Sequence, residues 1–304
     1  MRPAGAGRAR LAPVDPARAP SPGSGRPPLR LAVIGHVEHI TLGRVPALPR
    51  AGEIAHLSDL RWLPGGGGGI AFYQLAAGPA ELHLFTALGD DEAGAQVATE
   101  LGKTGARVHA VHRAEPHTRD LVLVDAEGER TIFVIGEPLH PRAADPLPWD
   151  LLSGCDAAYF TAEDPEALRR ARSARLLALT ARRRPALIRS GVRADLVIGS
   201  AADPREAFAL SDFPVPPAAL VLTEGAAGGR IETAAGTVRF PAPPTPPDAT
   251  GGAYGAGDSF AGALVFYAAA GLPLPEACAR AGRHGAAVLR GLDPRAHQLR
   301  LELP

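Results

Sequence analysis

Gly255-Ala256-Gly257-Asp258 is the run in this chain best suited to chemistry. Mostly small residues from 247 to 254 lead into it, and the apolar stretch Phe260-Ala261-Gly262-Ala263 follows. Such a pattern puts a loop directly before a helix, where first-turn N–H groups lack intrahelical partners and the helix dipole favours negative charge. Gly255 and Gly257 let an anion approach the backbone closely. Beside it, the Asp258 carboxylate can take a proton from an attacking hydroxyl. Asp258 and Ser259 are also common helix caps, so residue type alone leaves both roles open.

Other nucleotide-binding patterns fit poorly. A P-loop needs a glycine five residues before its Gly-Lys, and the chain's one lysine, Lys103, follows Gly102 without it. Gly66-x-Gly68-x-x-Ala71 matches a loose dinucleotide fingerprint, but Pro64 stands where a strand should end and no acid closes a strand about 20 residues on. His36 and His39 flank Glu38 without a third ligand at useful spacing, which makes them solvated loop residues rather than a metal site. Cys155 and Cys278 form neither a CxxC nor a Cys/His pattern and read as buried thiols.

The elements that must position Asp258 follow from hydrophobic periodicity. Strands are expected at 29–34, 82–85, 108–111, 121–124, 130–134, 157–160, 186–189, 196–198 and 220–223. Helices are expected from an opening within 65–69 through 76, and at 91–103, 164–182, 204–210, 256–271 and 274–290. Alternating strands and helices predict a mostly parallel sheet covered on both faces. Residues 36–63 read as an excursion from that sheet, and 240–247 as a connector with five prolines. Ligands of such sheets bind outside the carboxyl ends of the strands, which directs attention to Gly35, Ser200, Thr223 and Asp258.

Composition bounds the rest. With 32 basic and 32 acidic residues, no net field draws the chain to nucleic acid or to an anionic membrane surface. No apolar run reaches the roughly 20 residues of a membrane span, and no signal-peptide core is evident, so a cytoplasmic protein is expected. Residues 1–28 hold almost no bulky apolar side chain and are expected to be disordered.

From Gly255 through Gly262 the chain resembles the C-terminal signature of the PfkB/ribokinase-like carbohydrate kinases, Asp-Thr-x-Gly-Ala-Gly-Asp-x-Phe-x-Gly. Further ordered matches are Pro49, Gly52 and Glu53; the run from Pro64 to Gly69; Ala87 to Gly94; and Val221 to Gly225 with Gly228. Together they span about 30–295. The resemblance implies a three-layer α/β/α fold with a small β lid from about 38–63 and 116–136. It implies phosphoryl transfer from ATP with Mg²⁺ to an alcohol group of a sugar, nucleoside or polyol. Asp258 would be the general base, with the Gly255, Ala256, Gly257 and Asp258 backbone as anion hole. Thr223, Gly225 and Gly228 would border the nucleotide phosphates and His284 the adenine, while Glu38, Gly65 and Gly66 would meet the acceptor. A homodimer is compatible with such a lid.

The chain departs from the family where asparagine is usual, since it has none. Ile70 follows the Gly-Gly pair. Asp203-Pro204-Arg205-Glu206 keeps only the acids of the family's Asn-x-x-Glu, so Asp203 and Glu206 are either Mg²⁺ ligands or a plain helix cap. Ile40 stands where an acceptor-binding Asp is frequent, leaving Glu38 as the nearest acid. A catalytically weak sugar- or nucleotide-binding sensor of the same fold is the alternative reading.

Overall fold

The computed structural model describes residues 28–249 and 252–304. The expected N-terminal tail lies, through residue 27, outside the described residues. A nine-stranded sheet runs through the molecule. Seven strands are parallel: β1 (Leu29–Ile34), β4 (Ala80–Gly89), β5 (Arg107–Arg113), β8 (Ala157–Phe160), β9 (Leu176–Thr180), β10 (Leu196–Ser200) and β11 (Ala219–Thr223). The antiparallel hairpin β12 (Gly229–Thr233) and β13 (Gly236–Phe240) extends one edge, giving the order β13-β12-β11-β10-β9-β8-β1-β4-β5.

Both faces are covered. Leu31 and Val33 of β1 point to one side, into a core shared with α1 (Gly66–Ala76), α2 (Glu92–Gly102), α5 (Ala256–Ala269) and α6 (Leu274–Ala287). Ala32 and Ile34 point to the other, into a core with α3 (Pro165–Ala171), α4 (Arg184–Ser190) and Trp149. The near-continuous apolar strands are those of a sheet buried on both sides. The fold is thus the expected three-layer α/β/α arrangement with a mostly parallel sheet.

A second, four-stranded sheet sits apart: β3 (Ser58–Gly65), β2 (Glu38–Arg44), β6 (Arg119–Val124) and β7 (Arg130–Ile135), in that order. Its inner side chains Ile40, Leu42, Leu63, Val122 and Val124 pack on Ile70, Tyr254 and Leu292. Asp91 anchors it to the main body. The Asp91 carboxylate caps α2 by accepting from Gly94 N at 2.9 Å and also receives His117 N at 3.2 Å and Arg119 Nη2 at 3.0 Å.

Three local expectations are corrected. The helix expected over 164–182 stops at Ala171 and gives way to β9, because Leu176-Leu177-Ala178-Leu179 is a short apolar run that periodicity cannot assign. Residues 186–189 lie in α4 rather than a strand; Pro185 opens that helix and Gly191, at φ 66°, ends it in the left-handed region. Residues 204–209 form turns, not a helix.

Candidate active site

The carboxyl ends of β1, β8, β10 and β11 open on the same side as the start of α5. Gly255 precedes that helix at φ 77°, a conformation that favours glycine. No side chain caps the helix. The Ala256 amide donates to Ala253 O at 3.2 Å, while the amides of Gly257 and Asp258 have no acceptor among the described residues. The free donors of the first turn are therefore two rather than the three expected, and Ala256 serves the turn.

Asp258 is half-buried in α5's first turn. Burial, then the nearby Glu206 carboxylate, raises its pKa from 3.8 to about 6, against the opposing charges of Arg130 and Arg182. Its neighbour across the cleft is the glycine turn that starts α1. A Cβ on Gly67 would lie 3.2 Å from Asp258 Oδ1, and one on Gly66, where φ is 73°, only 2.5 Å from Glu38 Oε2. Gly66 N donates to the Tyr254 hydroxyl at 3.1 Å. Gly65 is equally close-packed, its Cβ position lying 2.5 Å from both Ile40 Cγ1 and the Tyr254 hydroxyl. The glycine run thus admits two carboxylates, Glu38 and Asp258, to one small space.

That space holds residues the sequence did not single out. Asp120, on β6, contacts Glu38, and burial followed by this neighbour pushes the Glu38 pKa well up; burial likewise raises Asp120. His36 stands 3.5 Å from Glu38 Oε1 and edge-on to His140. His36 and Glu38 are buried, correcting the expectation of a solvated loop. His39 also departs from that expectation, stacking on Trp62 and pairing with Gln96 Oε1 at 3.0 Å. Burial lowers the pKa of His36 and takes that of His140 to about 3, both helped by Arg183, so the rings are neutral. Arg183 donates to Thr161 O at 2.7 Å and pairs with Glu163. Only the Arg182-Arg183-Arg184 run could have drawn attention to this corner from sequence.

On the far side, Thr223 ends β11 opposite Ser200 of β10, and its hydroxyl donates to Gly199 O at 3.3 Å. Gly225 and Gly228, at φ 57° and 87°, shape the turn into β12. Gly225 is exposed, whereas Gly228 lies against the backbone of Phe240 and Pro241, which gives it a packing role. His284 is buried beside Tyr267, whose hydroxyl lies 3.0 Å from its Nε2. On the same helix, Gly282 and Gly285 approach Pro243 and Ala256. His284 therefore projects toward Tyr267 and away from the start of α5.

Asp203 and Glu206 do come together, but around a guanidinium. Arg182 donates to Asp203 Oδ2 at 2.6 Å and pairs with Glu206 Oε1. Arg205 N donates to Asp203 Oδ1 at 2.9 Å, and Ser200 N to Glu206 Oε2 at 2.9 Å. All four oxygens are engaged, and no cluster of three His, Cys, Asp or Glu suited to a metal occurs among the described residues. The pair does not fit a directly held Mg²⁺. No helix of the described residues is long and apolar enough to cross a membrane.

Fold and site together define a three-layer α/β/α protein with its candidate site at the carboxyl end of the large sheet, beside a small second sheet. Residues 206–296 match the profile of the pfkB family carbohydrate kinases. Three solved structures share the fold. The microbiome-derived acarbose kinase Mak1 has a TM-score of 0.73 at 20% identity, over 88% of this chain and 94% of its own. The adenosine kinase from Sinorhizobium meliloti has 0.71 at 18%, over 88% and 95%. Arabidopsis thaliana ribokinase, complexed with ribose and ATP, has 0.69 at 16%, over 90% and 96%. No curated protein sequence matches the chain. The chain thus shares the fold of these ribokinase-like structures and, over residues 206–296, is similar to the pfkB family carbohydrate kinases.

Proposed function

We propose that this protein is an ATP-dependent kinase that phosphorylates an alcohol group of a sugar, nucleoside or polyol. One observation carries the reading: a carboxyl with its pKa raised to about 6, Asp258, stands in the first turn of a helix with two free amides and faces a buried polar pocket. In the reaction the acceptor hydroxyl loses its proton to Asp258 and its oxygen bonds to the γ-phosphorus, while the bond from that phosphorus to the bridging oxygen of ADP breaks. The Gly257 and Asp258 amides face the charge that grows on the phosphoryl oxygens.

The acceptor lies between Glu38, the Gly65-Gly66 turn and Asp258, and the small sheet acts as a lid that excludes water. The nucleotide phosphates lie along the α5 start and the strand ends near Thr223 and Gly225. Mg²⁺ arrives with ATP, its oxygen ligands supplied mainly by the phosphates and water. A raised pKa serves a base working near neutrality and has no use in a pure sensor. Mixing the purified protein with Mg-ATP and a panel of sugars, nucleosides and polyols tests the proposal. Acceptor-dependent ADP release that disappears in Asp258→Asn is expected, and its absence with every acceptor favours the sensor.

A further inference from the structure

In the pocket beside Asp258, Arg130 and Arg182 act on Asp258 and Arg183 on Glu38, but none forms an ion pair with Glu38 or Asp120. Glu38 and Asp120 touch, Asp258 adds a third carboxyl, and no cation among the described residues pairs with the Glu38–Asp120 couple. Arg183 is close enough to be felt by Glu38, but its hydrogen bonds run to Thr161 O and Glu163 and none reaches Glu38 or Asp120. Arg182 is held by Asp203 and Glu206. The two histidines that line the pocket, His36 and His140, are kept uncharged by burial.

Polar atoms there also lack partners. Asp120 is 5% exposed and its Oδ1 has no hydrogen-bond partner. Thr161 Oγ1, His36 Nδ1 and both ring nitrogens of His140 are also buried without one. Buried polar atoms left this way are costly unless a ligand or water meets them. Their types divide the pocket. The Thr161 and histidine atoms can give or take a hydrogen bond and suit hydroxyls, whereas the Glu38–Asp120 couple offers acceptors and negative charge.

We infer that the preferred acceptor is a polyhydroxylated amine, an amino sugar or amino polyol whose protonated nitrogen sits between Glu38 and Asp120 while a hydroxyl faces Asp258. The inference rests on the kinase reading and narrows its substrate class. Without a cation the two carboxyls share one proton, since adjacent buried charges of one sign cannot both persist. An ammonium group displaces that proton and makes charge-assisted hydrogen bonds to both carboxylates. A neutral polyol has no such gain, and its hydroxyls must compete with the shared proton.

Matched pairs of acceptors test this: glucamine against sorbitol, glucosamine against glucose, and aminodeoxyribitol against ribitol. ADP release should favour the amine by about tenfold or more in kcat/KM, the order of one charge-assisted contact. Calorimetry in two buffers of different ionisation enthalpy should show about one proton released when glucamine binds and none with sorbitol. Asp120→Asn and Glu38→Gln, checked for wild-type melting, should bring the amine-to-neutral ratio near one. Neutral members that equal or exceed their amines, or a ratio unchanged in Asp120→Asn, overturn the amine inference and leave the kinase intact. No ADP release with any member of either series overturns the kinase reading itself.

Discussion

Replacing Asp258 by asparagine should make the protein more stable and nearly inactive. The carboxyl's pKa is raised from 3.8 to about 6, first by burial and then by Glu206. An acid whose folded pKa exceeds its unfolded value holds more protons in the folded state, so stability is greatest below 3.8, falls as pH rises toward about 6, and stays low above. A shift of about two units corresponds to about 3 kcal/mol. Because Asp258 opens on the cleft, solvent screens part of this and the figure is a ceiling. Asparagine keeps the shape without the charge. At pH 8 the variant should melt several degrees higher, at about 2–4 °C per kcal/mol, and the gap should narrow as pH falls below about 6 and close only below 3.8. Turnover should drop by roughly 10²–10⁴, the usual contribution of a general base. Wild-type kcat/KM should fall tenfold per pH unit below about 6, where the base becomes protonated. Thermal melts at pH 8 and 5, with initial-rate pH profiles, measure both effects. A variant less stable than wild type at pH 8, with its ATP affinity lost as well, would show that Asp258 is a structural cap and refute the reasoning.

Other substitutions separate positioning from folding. Gly67→Ala places a methyl 3.2 Å from Asp258 Oδ1 in the first turn of α1; kcat should fall about tenfold while melting holds. An unchanged kcat would mean the carboxylate has room to move. Arg182→Gln frees Asp203 and Glu206, so the acid limb of the pH profile should move upward and rates should now respond to Mg²⁺ beyond that bound to ATP; profiles matching wild type would exclude a link from Arg182 to Asp258. The β7 strand exposes Ile132, Phe133, Val134 and Ile135 at an open sheet edge, where a second copy can pair. Sedimentation should find a dimer at micromolar concentration and a monomer for Phe133→Glu with Ile135→Lys; a monomeric wild type rejects this edge as an interface.

How far the chain could be read depended on how local each signal is. Gly255 to Asp258 was legible because a helix start is set by adjacent residues, and only the Ala256–Ala253 hydrogen bond escaped notice. Glu38 was reachable as the nearest acid after the first strand. Asp120 was not, because it meets Glu38 only when β2 and β6 pair, with Ile40 opposite Asp120. The Asp203 and Glu206 spacing was visible, whereas Arg182, 21 residues earlier than Asp203, comes to them only through the adjacency of β9 and β10. β9 and α4 were exchanged because short apolar runs such as 176–179 and 186–188 suit either element until their neighbours are known.

The two ends of the cleft differ in how their charge is balanced, and that difference says where specificity resides. Near Thr223, every one of these carboxylates is paired: Asp203 and Glu206 share Arg182, Asp203 also holds Arg205, and Glu224 holds Arg230 and Arg239. Such pairs are complete before any ligand arrives, so a nucleotide must bind through backbone amides and through ion pairs that rearrange. At the other end Glu38 and Asp120 face each other without a guanidinium in contact, and burial raises the pKa of both. That end has a charge requirement which only a ligand can meet. Under the proposed kinase reading, the Thr223 end would hold the nucleotide and the Glu38–Asp120 end the acceptor, so changes at Glu38 or Asp120 should alter which acceptor is chosen far more than how tightly ATP is held.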